Sequence, residues 1–443
     1  MASSHLRFRY AVACFALGLF ALPIPLMGQG VVLHGVGPIN RSMGGAATAA
    51  PLDAIGAIHW NPATISALPA SEMSFGLEAV LPASDCSSQV AAGAFGPGVP
   101  PVDLAGSTGA ELGVSAIPSF AFVHKPEDSC WTYGLGVFGI GGFGGNYAAS
   151  LTNPILTPPP PNGFGVGRVA AQLDVLQLAP TISRVLTDRI SIGFAPTITL
   201  ARLTADPGFF TTPDDANGDG FPTYPAATGT RATWGGGFQA GIYYTTDVGW
   251  HLGASVKSPQ WFEPFRFNVT DELGRPSVAK FGVDYPLIGS FGVAYSGYEN
   301  YLIACDVRYY DYANTRGFRS ADFDPTGALT GLGWNSVLGV STGIERRVND
   351  CLSLRLGYAF NENPIPGANT AVNVASPLVI QHWLTMGLSY RMAQHWIFSL
   401  AYVHGFENSI EGPITTALGP AANTSVTSTG SLDSLSAGIT VRF

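Results

Sequence analysis

From Glu72 onward the chain alternates. Leu352, Leu354, Leu356, Tyr358 and Phe360 fall on one parity, and Ser353, Arg355, Gly357 and Ala359 on the other. Leu384, Met386, Leu388 and Tyr390 stand against Thr385, Gly387, Ser389 and Arg391 in the same way, as do Trp396, Phe398, Leu400 and Tyr402 against Ser399 and Ala401. The pattern returns in Trp234, Phe238, Ile242 and Tyr244 against Thr233, Gln239 and Gly241. A period of two sustained over about eight to ten residues predicts β-strands. The second parity is glycine, serine and threonine with an occasional arginine or aspartate, which suits a wet lumen better than a dry core. Strands with one face to lipid and one to water build a transmembrane barrel.

The punctuation between strands is uneven. Tight turns are predicted near Pro126–Ser129, Thr187–Arg189, Asp247–Gly249, Gly297–Asn300, Asn349–Asp350 and Ala393–His395. Long irregular connections are predicted at Ser84–Glu111, Gly141–Gly165, Ala205–Thr230, Asn268–Ser277, Thr315–Gly333, Asn361–Gln381 and Glu411–Gly430. Six turns and seven loops join 14 strands, and each has room for the roughly 9–11 residues of a membrane crossing. Short turns on one rim, long loops on the other and an even strand number predict an all-β fold, a 14-stranded antiparallel transmembrane β-barrel.

Composition narrows the class. Charged residues make up 12% of the 443, about half of the roughly 25% usual in soluble chains. The mean hydropathy is +0.23, yet beyond the N-terminus no run of about 18 apolar residues occurs, which excludes a polytopic helical membrane protein. A net charge of −9 with three lysines leaves no basic face for nucleic acid. Arg7 and Arg9 ahead of the apolar run Tyr10–Leu26 predict a signal peptide over residues 1–28, cleaved after Gly28. Cys86, Cys130, Cys305 and Cys351 then remain. They allow three pairings, which the sequence leaves open, and lack the clustered spacing of a zinc site.

Residues 29–71 break the alternation. Gly35, Gly44, Gly45 and the run Ala46–Ala50 precede Asp53-Ala-Ile-Gly-Ala-Ile-His-Trp-Asn61-Pro62-Ala63. Small residues permit close backbone packing, and Pro62 can open a short helix at its first position. The segment is too small for a domain of its own, and a barrel lumen gives it something to fold inside. Residues 72–443 then form the barrel. Its last strand places Leu435, Ala437, Ile439, Val441 and Phe443 on one parity.

The order of signal peptide, Gly/Ala-rich segment, Asn61-Pro62-Ala63 and strands to a final phenylalanine resembles the FadL/TodX family of outer-membrane transporters of long-chain fatty acids and aromatic hydrocarbons. Asp284-Tyr285-Pro286 through Gly292-Val-Ala-Tyr295, then Ala304-Cys305-Asp306-Val307, resembles a strand pair of that family. The resemblance implies that residues 29–71 are a hatch of short helices plugging the barrel, with Asn61, Pro62 and Ala63 in it. It also implies an inward kink in the third strand that opens the wall sideways. In this chain the third strand runs from about Cys130 through Gly145, with seven glycines between positions 134 and 145. Glycine weakens strand pairing, so Gly141, Gly142, Gly144 and Gly145 are the expected lateral opening; the other reading is the start of a loop. Phe443 resembles the signal read by the bacterial barrel assembly machinery.

Candidate chemistry is sparse. By parity Arg168, Arg231, Arg308 and Arg355 face the lumen, with Asp306 beside Arg308. A cation there would suit a carboxylated substrate, and equally a structural ion pair, because buried charges pair. Asp215, Asn217 and Asp219 copy the first half of a calcium loop, but Ala226 stands where a bidentate glutamate is expected, so a polar turn is the better reading. Gly339-Val-Ser341-Thr-Gly343 spells a nucleophile elbow inside an alternating strand, where that motif cannot make its turn. Tyr309, Tyr310, Tyr312, Trp396, Tyr402, Trp383, Trp261 and Phe265 suit aromatic girdles, or a few of them an apolar groove. No catalytic group, cofactor or metal is expected. The expected protein is a monomeric passive transporter in the bacterial outer membrane, meeting lipid and lipopolysaccharide and carrying a hydrophobic small molecule. A general porin for polar solutes, and further off a barrel phospholipase, are the rival readings.

Overall fold

Alternation is realised as a closed wall. In a computed structural model describing residues 30–416 and 419–443, fourteen strands pair antiparallel in chain order. They are β1 Glu72–Val90, β2 Ser115–His124, β3 Trp131–Tyr147, β4 Val169–Thr187, β5 Ile190–Asp206, β6 Arg231–Thr245 and β7 Trp250–Lys257. They continue as β8 Leu287–Tyr295, β9 Tyr301–Asp311, β10 Val337–Arg347, β11 Leu352–Asn361, β12 His382–Arg391, β13 Trp396–Gly412 and β14 Thr424–Arg442. The ring shuts where β1 meets β14, from Glu72 opposite Arg442 to Val90 opposite Thr424, so the barrel leaves no free edge. The signal-peptide reading lies outside the described residues.

Parity decides which way each residue points. On β1, Met73, Phe75, Leu77 and Leu81 are exposed on the outer surface, while Glu72, Ser74 and Glu78 are buried inward. The six turns fall at the predicted places. Of the predicted girdle, Tyr309, Trp396, Tyr402 and Trp261 are exposed, but Tyr310, Tyr312 and Phe265 are buried. Trp383 also departs: its indole Nε1 donates to Asn361 Oδ1 at 3.2 Å and its ring lies 4.9 Å from that of His34. Tyr310, Tyr312 and Trp383 fall on the parity that faces the interior, and Phe265 lies outside the barrel strands altogether, in a connection that carries its own sheet.

The wall is uneven in height. β1, β4 and β14 have 19 residues each and β3, β5 and β13 have 17, whereas β7 has 8 and β8 has 9. The tall strands therefore run into the predicted loops: β1 to Val90, β3 to Tyr147, β13 to Gly412 and β14 from Thr424. The connection from β7 to β8 is longer than expected and holds its own strands. Phe265–Thr270 pairs with Pro276–Phe281 and with Ala226–Thr228 in a separate three-stranded sheet above the barrel.

Residues 31–66 lie buried inside the ring, apart from half-exposed Leu33, Pro51 and Leu52. Pro38 opens α1, Pro38–Ser42, after Gly37 at φ 75°. Asp53 caps α2, Ala54–Trp60, by accepting the Gly56 N–H at 3.1 Å. A 3-10 turn, Pro62–Ala67, follows directly. Small side chains let this segment approach the wall: Ala46, Ala49 and Ala50 pack on Ala294 of β8 and Ala304 of β9.

Candidate functional site

The third strand is where the wall fails. β2 and β3 pair from His124 opposite Tyr133 to Ser119 opposite Phe138, and stop. The next residue of β2, Pro118, has no N–H to give a ladder. β3 nevertheless continues against β4 up to Tyr147 opposite Val169, with a register shift between Gly139 and Gly141. On its other side β2 keeps its pairing with β1 through Ser115 opposite Val80. A notch is left between Ser115–Pro118 and the glycine-rich half of β3. Its upper end is closed by Glu111 N–H donating to the Asn146 carbonyl at 2.7 Å. Gly141, Gly142, Gly144 and Gly145 all line β3 along this notch.

The freed backbone of β3 is not left unpaired. Leu33 N–H donates to the Ile140 carbonyl at 3.2 Å, and Gly142 N–H to the Val31 carbonyl at 2.9 Å. Tyr285 Oη adds a bond to the same Ile140 carbonyl at 2.9 Å. The start of the N-terminal segment thus acts as a short extra strand across the bend. Gly141 has to be glycine for this, since a Cβ there would overlap the Val31 carbonyl oxygen. Behind it, Val31 joins Leu173, Val175, Ala201, Phe262, Tyr285 and Phe318 in lining a small pocket of about 10 Å³.

Above this point the outer connections enclose a second cavity of about 560 Å³. Its walls include Phe95, Ile155, Phe164, Phe209, Phe323 and Val374. The cavity touches the bent strand at its base: Ala375 lines it, and a Cβ on Gly145 would stand 2.6 Å from the Ala375 carbonyl oxygen. Volumes of about 300–1,000 Å³ are those of small-molecule sites.

Charge pairs fasten the N-terminal segment to the wall. Asp306 accepts the N–H groups of Ala47 and Thr48 at 2.9 Å each and the Thr48 hydroxyl at 2.8 Å. Arg308 pairs with Asp306 at 2.5 Å, donates to the Gly45 carbonyl at 2.7 Å, and stacks 3.5 Å over the Trp60 ring. Arg355 pairs with Glu345 at 2.6 Å and donates to Ser389. Sequence reading missed Arg41–Glu78 at 2.8 Å and Arg442–Glu72 at 2.9 Å, although Glu72 and Glu78 share the inward parity of β1. It also missed Lys257, buried beside His59 at 3.5 Å. Burial holds His34 and His59 well below the ordinary histidine range, with Arg41 and Lys257 respectively reinforcing it. Arg168 is a correction. It precedes β4, where parity no longer applies, and sits exposed with Asp206 at 3.5 Å and Asn146 at 2.9 Å. Arg231 begins β6, opposite Leu203 of β5.

Asn61 ties the segment at its centre. Its Nδ2 donates to the Thr48 carbonyl at 2.8 Å and to the Ile242 carbonyl of β6 at 3.0 Å, while Oδ1 accepts the Ala63 N–H at 3.1 Å. Pro62 and Ala63 face Gly193 of β5, where a Cβ would overlap their backbone. Asp215 and Asp219 accept backbone N–H groups of their own turn, from Gly220 and Phe221, and Asn217 accepts that of Asp219. Among the described residues no group of three or more His, Cys, Asp or Glu is placed to hold a metal. Ser341 accepts from Arg308 at 3.0 Å, and the four described cysteines are unpaired.

No curated protein matches the chain by sequence. Solved structures share its fold. The toluene transporter TbuX of Ralstonia pickettii has a TM-score of 0.67 at 17% identity, covering 93% of this chain and 99% of its own. TodX of P. putida, also a toluene transporter, has 0.65 at 16%, covering 95% and 99%. A Pseudomonas aeruginosa FadL homologue has 0.69 at 15%, covering 94% and 100%. Residues 28–443 match the sequence profile described as outer membrane protein transport protein (OMPP1/FadL/TodX). The chain therefore belongs to that family, and its barrel is one of the bacterial outer membrane.

Proposed function

We propose that the protein carries hydrophobic small molecules inward across the outer membrane and releases them sideways. A molecule is captured in the outer cavity. It then reaches the pocket held by Val31, once Val31–Leu33 leave the bend, and exits through the notch between β2 and β3 into the membrane. The observation that carries this reading is the contact between the 560 Å³ apolar cavity and the glycine-rich half of β3. Lipophiles partition readily into such a cavity, since each buried Å² of apolar surface is worth roughly 25 cal/mol. TbuX and TodX carry toluene, and monoaromatic hydrocarbons are the first substrates to try here, with long-chain fatty acids second. Residues 30–71 serve as the hatch that keeps ions and polar solutes out, which speaks against a general porin.

The test is uptake of radiolabelled toluene by cells making the full chain, against a variant with valine at Gly141, Gly142, Gly144 and Gly145. A correctly assembled variant should lose most of the uptake, because valine favours regular pleating and excludes Val31 from the bend. Unchanged uptake would sink sideways release at this site.

A further inference from the structure

Charge around the path says more about what can travel it. Among the described residues no ionisable carboxylate, lysine, arginine or histidine lines the outer cavity, and its polar side chains are Tyr224, Thr415 and Thr416. Its surroundings are mainly acidic, and Arg168, beside Val169 of the wall, is paired with Asp206 at 3.5 Å and bonded to Asn146. Phe323 of the wall lies between Asp322 and Asp324, and the Phe221 N–H is bonded by Asp219 at 2.9 Å. Asp103 accepts the Ala92 N–H at 2.8 Å, beside Phe95. Asp103, Asp215, Asp219, Asp322 and Glu411 are all exposed. Burial and the Asp324 carboxylate together push the Tyr224 phenol above its ordinary value, so the negative field reaches the cavity wall. The seven outer connections between the strands contain 12 carboxylates against six cations.

Further in, cations are engaged. The inner pocket has one ionised lining residue, Asp284, and its partner is Arg316 at 2.6 Å. Arg308, Arg355, Arg41 and Arg442 each hold a carboxylate of the wall. Lys257 lines neither cavity. An anionic ligand would give up its hydration for an apolar space without a countercharge, and would approach through like charges. Rejection by unpaired charge is an effective route to specificity.

We propose that the outer cavity selects electrically neutral lipophiles and rejects the carboxylate of the same carbon skeleton. The proposal rests on the transport reading above and specifies its substrate class. The probes are naphthalene and 1-naphthoate, measured by equilibrium dialysis against the full-length protein in detergent at pH 7.5 with EDTA, after subtraction of partition into empty micelles. Naphthalene should bind at least tenfold more tightly. Val372→Lys, which sets a cation in the cavity wall, should raise 1-naphthoate binding several-fold. Equal or tighter binding of 1-naphthoate to the unaltered protein overturns the charge selection and leaves transport standing. So does 1-naphthoate binding unaffected by Val372→Lys. Binding of neither probe removes the transport reading and this inference with it.

Discussion

Asp306 takes four donors at once, three from Ala47 and Thr48 and one from Arg308. Such a carboxylate is anchored from both sides, by the wall that carries it and by the segment it grips. Removing it as Asp306→Ala leaves Arg308 buried without its countercharge, a change that typically costs about 3–5 kcal/mol. The cost should fall on seating the N-terminal segment rather than on the barrel, whose strand ladders do not use it. Ionic conductance in a planar bilayer should rise while the detergent-gel shift on heating persists, and Asp306→Leu with Arg308→Met should recover part of the seal. A single variant that conducts like the unaltered protein would show that the pair does not hold the segment. The parity of β9 made Asp306 and Arg308 legible in sequence, but what they grip was not. Gly45 and Ala47 carry no signal of their own, because they contribute only backbone atoms, and Thr48 adds a single hydroxyl to its N–H. The same limit hid Lys257, whose neighbour His59 is 198 residues away in sequence.

At the scale of elements, β3 does two things that strand patterns do not encode. It loses one neighbour at Phe138 and gains another, Val31–Leu33, at Gly141. Seven glycines in 12 residues announced the bend, but the same run read equally well as the start of a loop, since both need backbone freedom. The strand in fact continues six residues past Gly141, held by β4, by the N-terminal segment at Gly142 and by Glu111 at Asn146. Gly141→Val puts a branched side chain against the Val31 carbonyl. Hydrogen exchange read by mass spectrometry should then speed up at least tenfold over residues 30–36 and stay unchanged over β13 and β14. Equal exchange in both would mean that the bend accepts a side chain without releasing the segment. The notch can also be stapled. A Cβ on Gly139 would lie 3.9 Å from that of Ile117, within the usual disulfide range of about 3.5–4.5 Å. With Cys130 and Cys351 replaced by serine, Ile117→Cys with Gly139→Cys should form a disulfide that narrows the notch from its lower end. Toluene uptake should fall several-fold when oxidised and return on reduction; a redox-insensitive rate in the cross-linked protein argues against passage there.

On the scale of the whole molecule, strand count and closure followed from alternation and turn spacing because both are local. The uneven height of the wall was hidden, since nothing in β1, β3 or β13 marks where membrane ends and the outer rim begins. That height matters, because the tall side carries the cavity while the short β7–β8 side is roofed by a separate sheet. On the proposed path the interior has two exits, one down the lumen, filled by the buried N-terminal segment, and one through the wall, where Val31–Leu33 alone cross the bend of β3. A 14-stranded barrel is too wide for its own side chains to fill, and the inward face here is mainly small or polar. Deleting residues 31–68 should therefore leave a barrel that still inserts and still shifts on a heated gel, yet conducts ions strongly and lets small sugars into liposomes at rates the full chain does not approach. Sugar and ion flux in that deletion should be insensitive to the staple made by Ile117→Cys with Gly139→Cys, whereas toluene uptake by the full chain should respond to it. If the deletion stays tight, the segment is not what closes the lumen. If the staple blocks ions as well, the two exits are one path and sideways release has no separate existence.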